Sequence, residues 1–531
     1  MQYGLNNRED QGAMLKRFSA ETHCPKGVQT DAIPDLDRSL GLQVDSAKRC
    51  SSSRQVEALL TGKEAIAMEA VSEQTNSRTV AELENYFSNY RDLPREIILK
   101  HDLLRVGHWF TDAALELASQ ALVKSYRLFS YDLMAMKDMK RKEHRKIPEW
   151  FTIRRGMYGL RPVSIQTTLD STSPYVIDVV DGQPMLLLNG KAICEVYFPK
   201  PMKYYTRKFD DGTAYHEIIA FGYFVTVFRN CQYWGPDEEC RFCDININAR
   251  QMKESKDFTF DAPVKPVKYM VEVARSIEQD ATEEVGFTPP MDFLITGGTI
   301  LKTLHGKNEL DFYSEYVSAL KWGGRRRFVN LQSNAQDKET MKHYRAAGVD
   351  CHHSNMEVWE KRLFEWINPG KNRRVGWEGW VRGMIDEVDV FGEGNVRPNF
   401  VGGVELAKPY GFDTVAEAVK STSDGVEFMM SHGIIPRFNQ WRREPGSNLG
   451  SQWNQPPIPL EYYLQLMGNY YNSWKKYNLP MPRRECVHPE RRIGSGHGTY
   501  DDILLLNELP DYEEAWDRGY HEGLKGCVTR N

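Results

Sequence analysis

Three cysteines stand close enough in the chain to act as one ligand set. Cys231, Cys240 and Cys243 follow directly on the apolar run 223–227 and share a loop with Gly235, Pro236, Asp237, Glu238 and Glu239. Thiolates are soft ligands that suit iron–sulfur clusters or zinc. Three of them on a cubane leave one iron without a protein ligand, and chemistry can enter at that corner. The alternative is a structural zinc site completed by a histidine such as His216. Zinc ribbons generally pair two CxxC-like knuckles, whereas this loop holds one, at 240–243.

The Cys-Arg-Phe-Cys stretch at 240–243, placed after a first barrel strand, resembles the cluster loop of the radical S-adenosylmethionine (SAM) superfamily. The family's usual spacing is CxxxCxxC, while here eight residues separate Cys231 from Cys240 and two separate Cys240 from Cys243. The resemblance implies a [4Fe–4S] cluster on Cys231, Cys240 and Cys243, which makes them both the metal ligands and the catalytic residues. It also implies SAM on the fourth iron, cleaved reductively to a 5′-deoxyadenosyl radical that abstracts a substrate hydrogen. In such enzymes the cofactor supplies the hard chemistry and the protein orients it and excludes water. The expected function is a lyase, rearrangement or group transfer on an unidentified small molecule, with an electron donor such as a ferredoxin or flavodoxin. The alternative function is a zinc-stabilised binding protein on a barrel scaffold.

The same resemblance, on its biotin synthase-like branch, supplies candidate SAM contacts. Phe242, the aromatic of the CxxC, is expected near the adenine. Gly297, Gly298 and Thr299 end the second strand and are similar to the family's GGE motif, with Thr299 in place of the Glu. Glycine suits a strand end that a ligand approaches closely. Asn355 and Glu357 share a parity on the fourth strand, so both can face one ligand, Glu357 accepting from ribose hydroxyls. Val401 on the fifth strand is the apolar candidate against adenine. Arg437 and Asn439 share a face of the sixth strand and offer a fixed cation and an amide. His352 and His353 are neighbours on opposite faces, and a lone histidine is more often structural than a ligand.

Alternating strands and helices must carry these residues. Strands are expected at 223–230, 292–299, 327–334, 351–358, 396–405 and 434–441, and helices at 263–280, 310–322, 337–347, 377–390, 413–432 and 460–475. That alternation reads as a parallel sheet of βα units, with function at the ends of the strands. The expected fold is α/β: a partial (β/α)6 TIM-type barrel with an N-terminal helical segment and a small antiparallel β-sheet. The divisions are a mostly flexible region at 1–78, a helical segment at 79–150, a β-hairpin domain at 151–220, the barrel at 221–455 and a helical cap at 456–531. In the helical segment Trp109 and Phe110 fall at helical intervals, and in the sheet Asp181-Gly182 and Asn189-Gly190 mark hairpin turns.

Composition narrows the classes further. The 531 residues are 41% hydrophobic and 27% charged, with a net charge of −5, so neither nucleic acid nor an anionic membrane is an expected partner. No stretch approaches the roughly 18 consecutive apolar residues of a membrane helix, and a cytoplasmic location is expected. Nine cysteines, an odd and scattered set, argue against a disulfide framework. Cys24, Cys50, Cys194, Cys351, Cys486 and Cys527 read as buried free thiols, with Cys351 and Cys486 able to meet in space. The basic run Lys137, Lys140, Arg141, Lys142, Arg145 and Lys146 and the triplet Arg325, Arg326 and Arg327 read as solvated helix ends. Trp359, Trp366, Trp377 and Trp380 flank Pro369-Gly370-Lys371, read as aromatic packing or, failing that, a substrate lid.

Overall fold

Two tight turns decide how the first sheet forms. In the computed structural model, which describes residues 78–120, 147–199, 202–255, 259–286, 288, 291–322, 327–444, 446–481 and 500–509, Asp181, Gly182, Asn189 and Gly190 all have φ between 48° and 79°. Positive φ at both central residues is what a two-residue hairpin with the twist of its strands requires. The sheet comprises β1 (Trp109–Phe110), β2 (Trp150–Arg155), β3 (Leu160–Gln166), β4 (Tyr175–Val180), β5 (Gln183–Leu188) and β6 (Lys191–Tyr197). Their order is β1-β4-β5-β6-β2-β3.

One expectation is corrected here. Trp109 and Phe110 are not helical: they lie parallel to β4 at Val176 and Ile177, so the sheet is not wholly antiparallel. Gly107, at φ +71°, ends the preceding helix Arg95–Val106, and a Cβ there would stand 2.9 Å from Asp170 Cβ. The close approach of the 168–170 segment turns the chain out of the helix and into the sheet.

Six parallel strands follow in chain order. These are β7 (Phe224–Phe228), β8 (Met291–Gly297), β9 (Arg327–Gln332), β10 (Cys351–His353), β11 (Asn399–Gly402) and β12 (Arg437–Gln440). β7 to β10 form one ladder and β11 and β12 another, and single parallel bridges His352–Val396 and Glu357–Phe400 link the two. Among the described residues no ladder joins β12 to β7, as in an open, partial barrel. The strand interiors are nearly all buried, which suits a parallel sheet covered on both faces. Helices Val267–Val285, Glu309–Leu320, Lys338–Ala347, Trp377–Phe391, Val415–Ser431 and Leu460–Lys476 stand where the six helical segments were expected. Asn308, Asp337 and Thr414 cap three of them, each side chain accepting from an N–H in the first turn.

The strands stop earlier than their apolar patterns suggest, because their polar ends leave the ladder. β10 is the clearest case. It ends at His353, and Glu357 sits at φ +73°, a conformation uncommon for a residue with a side chain and often found at functional sites. The helix Arg95–Val106 is fastened to the end of β12, since Gln440 Nε2 donates to His101 O at 3.2 Å. Lys100 in that helix pairs with Asp502 of the helix Tyr500–Glu508 at 2.7 Å, both fully buried.

The described residues belong to one compact unit, and the region 1–66 lies outside the described residues. So do the basic run 137–146, Arg325, Arg326, Cys24, Cys50, Cys486 and Cys527. No described helix is long and apolar enough to cross a membrane. Arg327 is not a solvated helix end: it opens β9, is 1% exposed, meets Glu278 at 2.7 Å and lies 3.7 Å from the centroid of the Trp322 ring. Removing one partner of a buried pair strands the other charge, at a cost of about 3–5 kcal/mol. Glu278→Ala is therefore expected to lower the free energy of unfolding by about that amount in a urea titration. A loss under about 1 kcal/mol is the value for a solvated surface pair and would contradict the assignment.

Candidate active site

The cysteine loop is held from several sides. Cys231 N–H donates to Asn246 Oδ1 at 2.8 Å, and Asn246 Nδ2 returns a bond to Cys231 O at 3.1 Å. Gln232 N–H donates to Thr299 O at 2.9 Å, while Gln232 Oε1 accepts from Leu301 and Lys302 N–H at 2.8 and 2.9 Å. Cys243 N–H donates to Cys240 O at 2.9 Å, which closes the CxxC into a turn. Between these two cysteines Arg241 donates through its N–H to Ile367 O at 2.8 Å.

The paired glycines after β8 have a reason that the sequence did not supply. A Cβ on Gly298 would fall 1.9 Å from Asn230 O and 2.5 Å from Cys231 Cα, and one on Gly297 would fall 2.6 Å from Tyr313 Oη. Gly298 admits the first cysteine's own backbone over the strand end and Gly297 admits the Tyr313 hydroxyl, rather than simply leaving room for a ligand.

All three cysteines border one cavity of about 250 Å3 at the carboxyl edge of the six strands. Phe242, Gly297, Gly298, Thr299, Asn355, Glu357, Val401, Arg437 and Asn439 border it too, so every candidate site residue meets there. Asn355 and Glu357 arrive by a different route from the one expected. They lie beyond β10 on irregular backbone, so strand parity does not aim them. The Asn355 amide is already used, its Oδ1 accepting from Asn399 N–H at 3.1 Å. Arg437 is held from the side, its Nε donating to Tyr500 Oη at 2.6 Å. His353 is buried, with Nε2 3.3 Å from Asn330 Oδ1, and Cys351 is a buried free thiol pushed up to about 12 by burial.

Sequence reasoning missed two groups. Lys371 reaches the cavity, with Nζ 2.8 Å from Glu357 Oε1 and 2.7 Å from Asn355 O. It belongs to the tryptophan-flanked insertion, which therefore does more than pack rings. A Cβ on Gly370 would stand 2.4 Å from Glu238 O, and Arg373 donates to Glu238 Oε1 and Asp237 O, each at 2.5 Å, so the insertion also braces the cysteine loop. Glu309 is the second missed group. It opens the helix Glu309–Leu320, is 6% exposed, and accepts from Ile300 N–H at 3.1 Å and Gln336 Nε2 at 3.0 Å. An acidic residue beside an Asn cap reads in sequence as part of the cap, which hid its place on the cavity wall.

Burial dominates the electrostatics. It pushes the Cys231 thiol up, the Cys240 thiol up to about 12 and the Cys243 thiol far up, while the Lys371 ammonium opposes the shift at Cys231 and Cys240. Burial also raises the Glu309 carboxyl. The bare thiols are thus neutral at pH 7, and taking up metal there must release protons. Among the described residues no three His, Cys, Asp or Glu side chains gather around a single ion position. A cubane asks for no such convergence, because each thiolate takes its own iron. His216, offered as a fourth zinc ligand, stacks on Tyr205 at 5.1 Å and is not among the residues that border the cavity. Three thiols on one cavity, with a cation beside two of them, fit a cluster bound by three cysteines.

No family model matches the chain. Bacteriochlorophyllide c C-7(1)-hydroxylase of Chlorobaculum limnaeum is 23% identical over 186 residues, 35% of this chain and 42% of that protein, so the match spans less than half of the relative. Among solved structures, methylornithine synthase (PylB) is 12% identical with a TM-score of 0.32, covering 51% of this chain and 72% of its own. Coproporphyrinogen III oxidase (HemN) from Escherichia coli, described as a radical SAM enzyme, is 11% identical with a TM-score of 0.26, covering 38% and 45%. The cobalamin-dependent SAM radical enzyme OxsB is 13% identical with a TM-score of 0.27, covering 48% and 30%. Two of these structures are described as radical SAM enzymes, and none is described as belonging to a biotin synthase-like branch.

The contact at Gly298 makes a sharp expectation. Gly298→Ala must move either the strand end or the cysteine loop, so it should lower the melting temperature and speed the reaction of Cys231 with a maleimide, read by peptide mass spectrometry. An alanine variant with unchanged melting and unchanged Cys231 reactivity is incompatible with this contact.

Proposed function

We propose that this chain is a radical SAM enzyme acting on a small molecule, and the observation that carries the proposal is the meeting of Cys231, Cys240 and Cys243 on one cavity at the carboxyl edge of six parallel strands. When bound, the [4Fe–4S] cluster with SAM supplies a 5′-deoxyadenosyl radical able to take hydrogen from a substrate carbon. The thiolates of Cys231, Cys240 and Cys243 would hold the cluster and would leave one iron for SAM.

The remaining work falls to side chains of the cavity. Phe242 and Val401 offer apolar faces for the adenine. Glu357, fixed by Lys371, has a second carboxylate oxygen with which to accept from ribose hydroxyls. Arg437, steadied by Tyr500, places a guanidinium for a carboxylate of SAM or substrate. Thr299 cannot carry the negative charge of the Glu it replaces, and Glu309, on the same wall, is the carboxylate nearest in role. The walls also exclude water and stray hydrogen donors. A reducing cytoplasm, with a ferredoxin or flavodoxin as electron donor, is the setting we propose.

The test is anaerobic reconstitution of the full chain with iron and sulfide, then reduction and addition of SAM. Bound iron and sulfide near four of each, a brown colour and 5′-deoxyadenosine are expected. Cys231→Ala, Cys240→Ala and Cys243→Ala should each lose the product to background. A colourless protein that retains zinc, or product formation undiminished in these variants, would overturn the proposal.

A further inference from the structure

A serine on the cavity wall is joined to a buried histidine and a buried glutamate, and nothing in the handling of SAM uses them. Ser333 follows β9 directly and borders the cavity. Its Oγ stands 2.8 Å from His352 Nε2. The His352 ring is fully buried and stacks with Tyr344 at 6.0 Å and with Phe391 at 5.8 Å. His352 Nδ1 lies 3.0 Å from Glu387 Oε2 without a well-formed hydrogen bond between them. Catalytic hydrogen bonds are often misaligned before substrate is bound.

Glu387, in the helix Trp377–Phe391, is also fully buried. Ser354 Oγ donates to its Oε2 at 3.0 Å, while its Oε1 has no hydrogen-bond partner. Burying a carboxylate so sparsely bonded is costly unless a positive charge can form beside it. The adjacent imidazole is the group placed to carry that charge. With the carboxylate at Nδ1, the ring proton belongs on Nδ1, which leaves the Nε2 lone pair to accept from the Ser333 hydroxyl. A hydroxyl, a base in contact with it and a third group orienting the base form the usual arrangement for activating a serine.

We propose that Ser333 is a catalytic residue that takes a proton from a substrate hydroxyl or protonated amine, with His352 and Glu387 as positioning residues behind it. The substrate proton passes to Ser333 Oγ as the serine's own proton passes to His352 Nε2. The substrate atom keeps the electron pair, so that a hydroxyl becomes an alkoxide and a protonated amine becomes neutral, the imidazolium faces Glu387, and nothing is oxidised or reduced. The substrate class is a small molecule with an O–H or N–H beside the carbon that reacts. The relay stands on the cavity alone and needs no metal.

Diisopropyl fluorophosphate tests it on the full chain without cluster, with no knowledge of the substrate. Ser333 Oγ should attack phosphorus, fluoride should leave, the proton should rest on His352, and peptide mass spectrometry should find the label on Ser333. Ser333→Ala should remove that label. His352→Gln and Glu387→Gln should slow it, the first by about 100-fold or more, with circular dichroism and melting temperature confirming that each variant is folded. If His352→Gln does not fold, Glu387→Gln decides alone, since it keeps the size of the side chain and an acceptor for Ser354. No label on Ser333, or a label formed equally fast in a folded variant of either residue, overturns the relay. Iron content and 5′-deoxyadenosine are read separately, so failure here is distinct from failure of the radical chemistry.

Discussion

The backbone of Asn230 and Cys231 rests directly on Gly298, and that contact sets where the first thiol can stand. Close-packed interiors tolerate no shift of a few tenths of an ångström without a response from their neighbours. Fixed there, Cys231 is oriented further by the paired bonds with Asn246, and Gln232 ties the next turn of chain to the 299–302 segment. The CxxC is then anchored independently, through Arg241, to Ile367 and Asn448. Two fastenings at the two ends of the loop bring the three thiols to one cavity without a single hydrogen bond between their side chains.

Charge follows from that geometry. Half-buried thiols in this wall stay protonated, and thiolates there need a compensating cation. Lys371 is that cation, but a buried ammonium needs its own support. It receives the Glu357 carboxylate, the Asn355 carbonyl and the face of the Trp380 ring, 4.9 Å from its Nζ. The left-handed backbone at Glu357 is where this support is secured, because Glu357 N–H donates to Asn399 O and its carbonyl accepts from Val401 N–H. The strained residue, the buried lysine and the fifth strand thus form one assembly beside the cysteines.

Much of this was legible in the sequence and some was not, for physical reasons. Strands and helices of the barrel follow from periodicity, since apolar runs and amphipathic stretches depend on neighbours in the chain. The hairpins at Asp181-Gly182 and Asn189-Gly190 follow from the backbone demands of two residues. The meeting of the cysteines with Phe242, Gly297, Gly298 and Thr299 was legible because strand ends in such a fold share one edge. Glu357 was found for a mistaken reason, its parity on a strand that stops four residues earlier. Lys371 and Glu309 were lost because only tertiary contacts distinguish them from an aromatic insertion and a helix cap. Arg327 was misread because a charge beside other charges looks solvated until its partner, 49 residues away in the chain, is known.

The wide spacing between Cys231 and Cys240 and the insertion after β10 make sense as a pair. Lengthening a loop costs little closure entropy, about 0.6 kcal/mol per doubling, so the extra residues threaten the position of the thiols more than the stability of the fold. What a longer loop loses is a fixed path between its ends. The helix Pro369–Arg374 restores that path: Gly370 packs against Glu238 O and the Tyr233 ring, and Arg373 binds Asp237 O and the Glu238 carboxylate. Exposed ion pairs of this kind add little energy, so the brace acts through shape and through the number of fixed points. The same short helix delivers Lys371 to the far side of the wall. One insertion therefore holds the loop in place and supplies the charge that its thiols need.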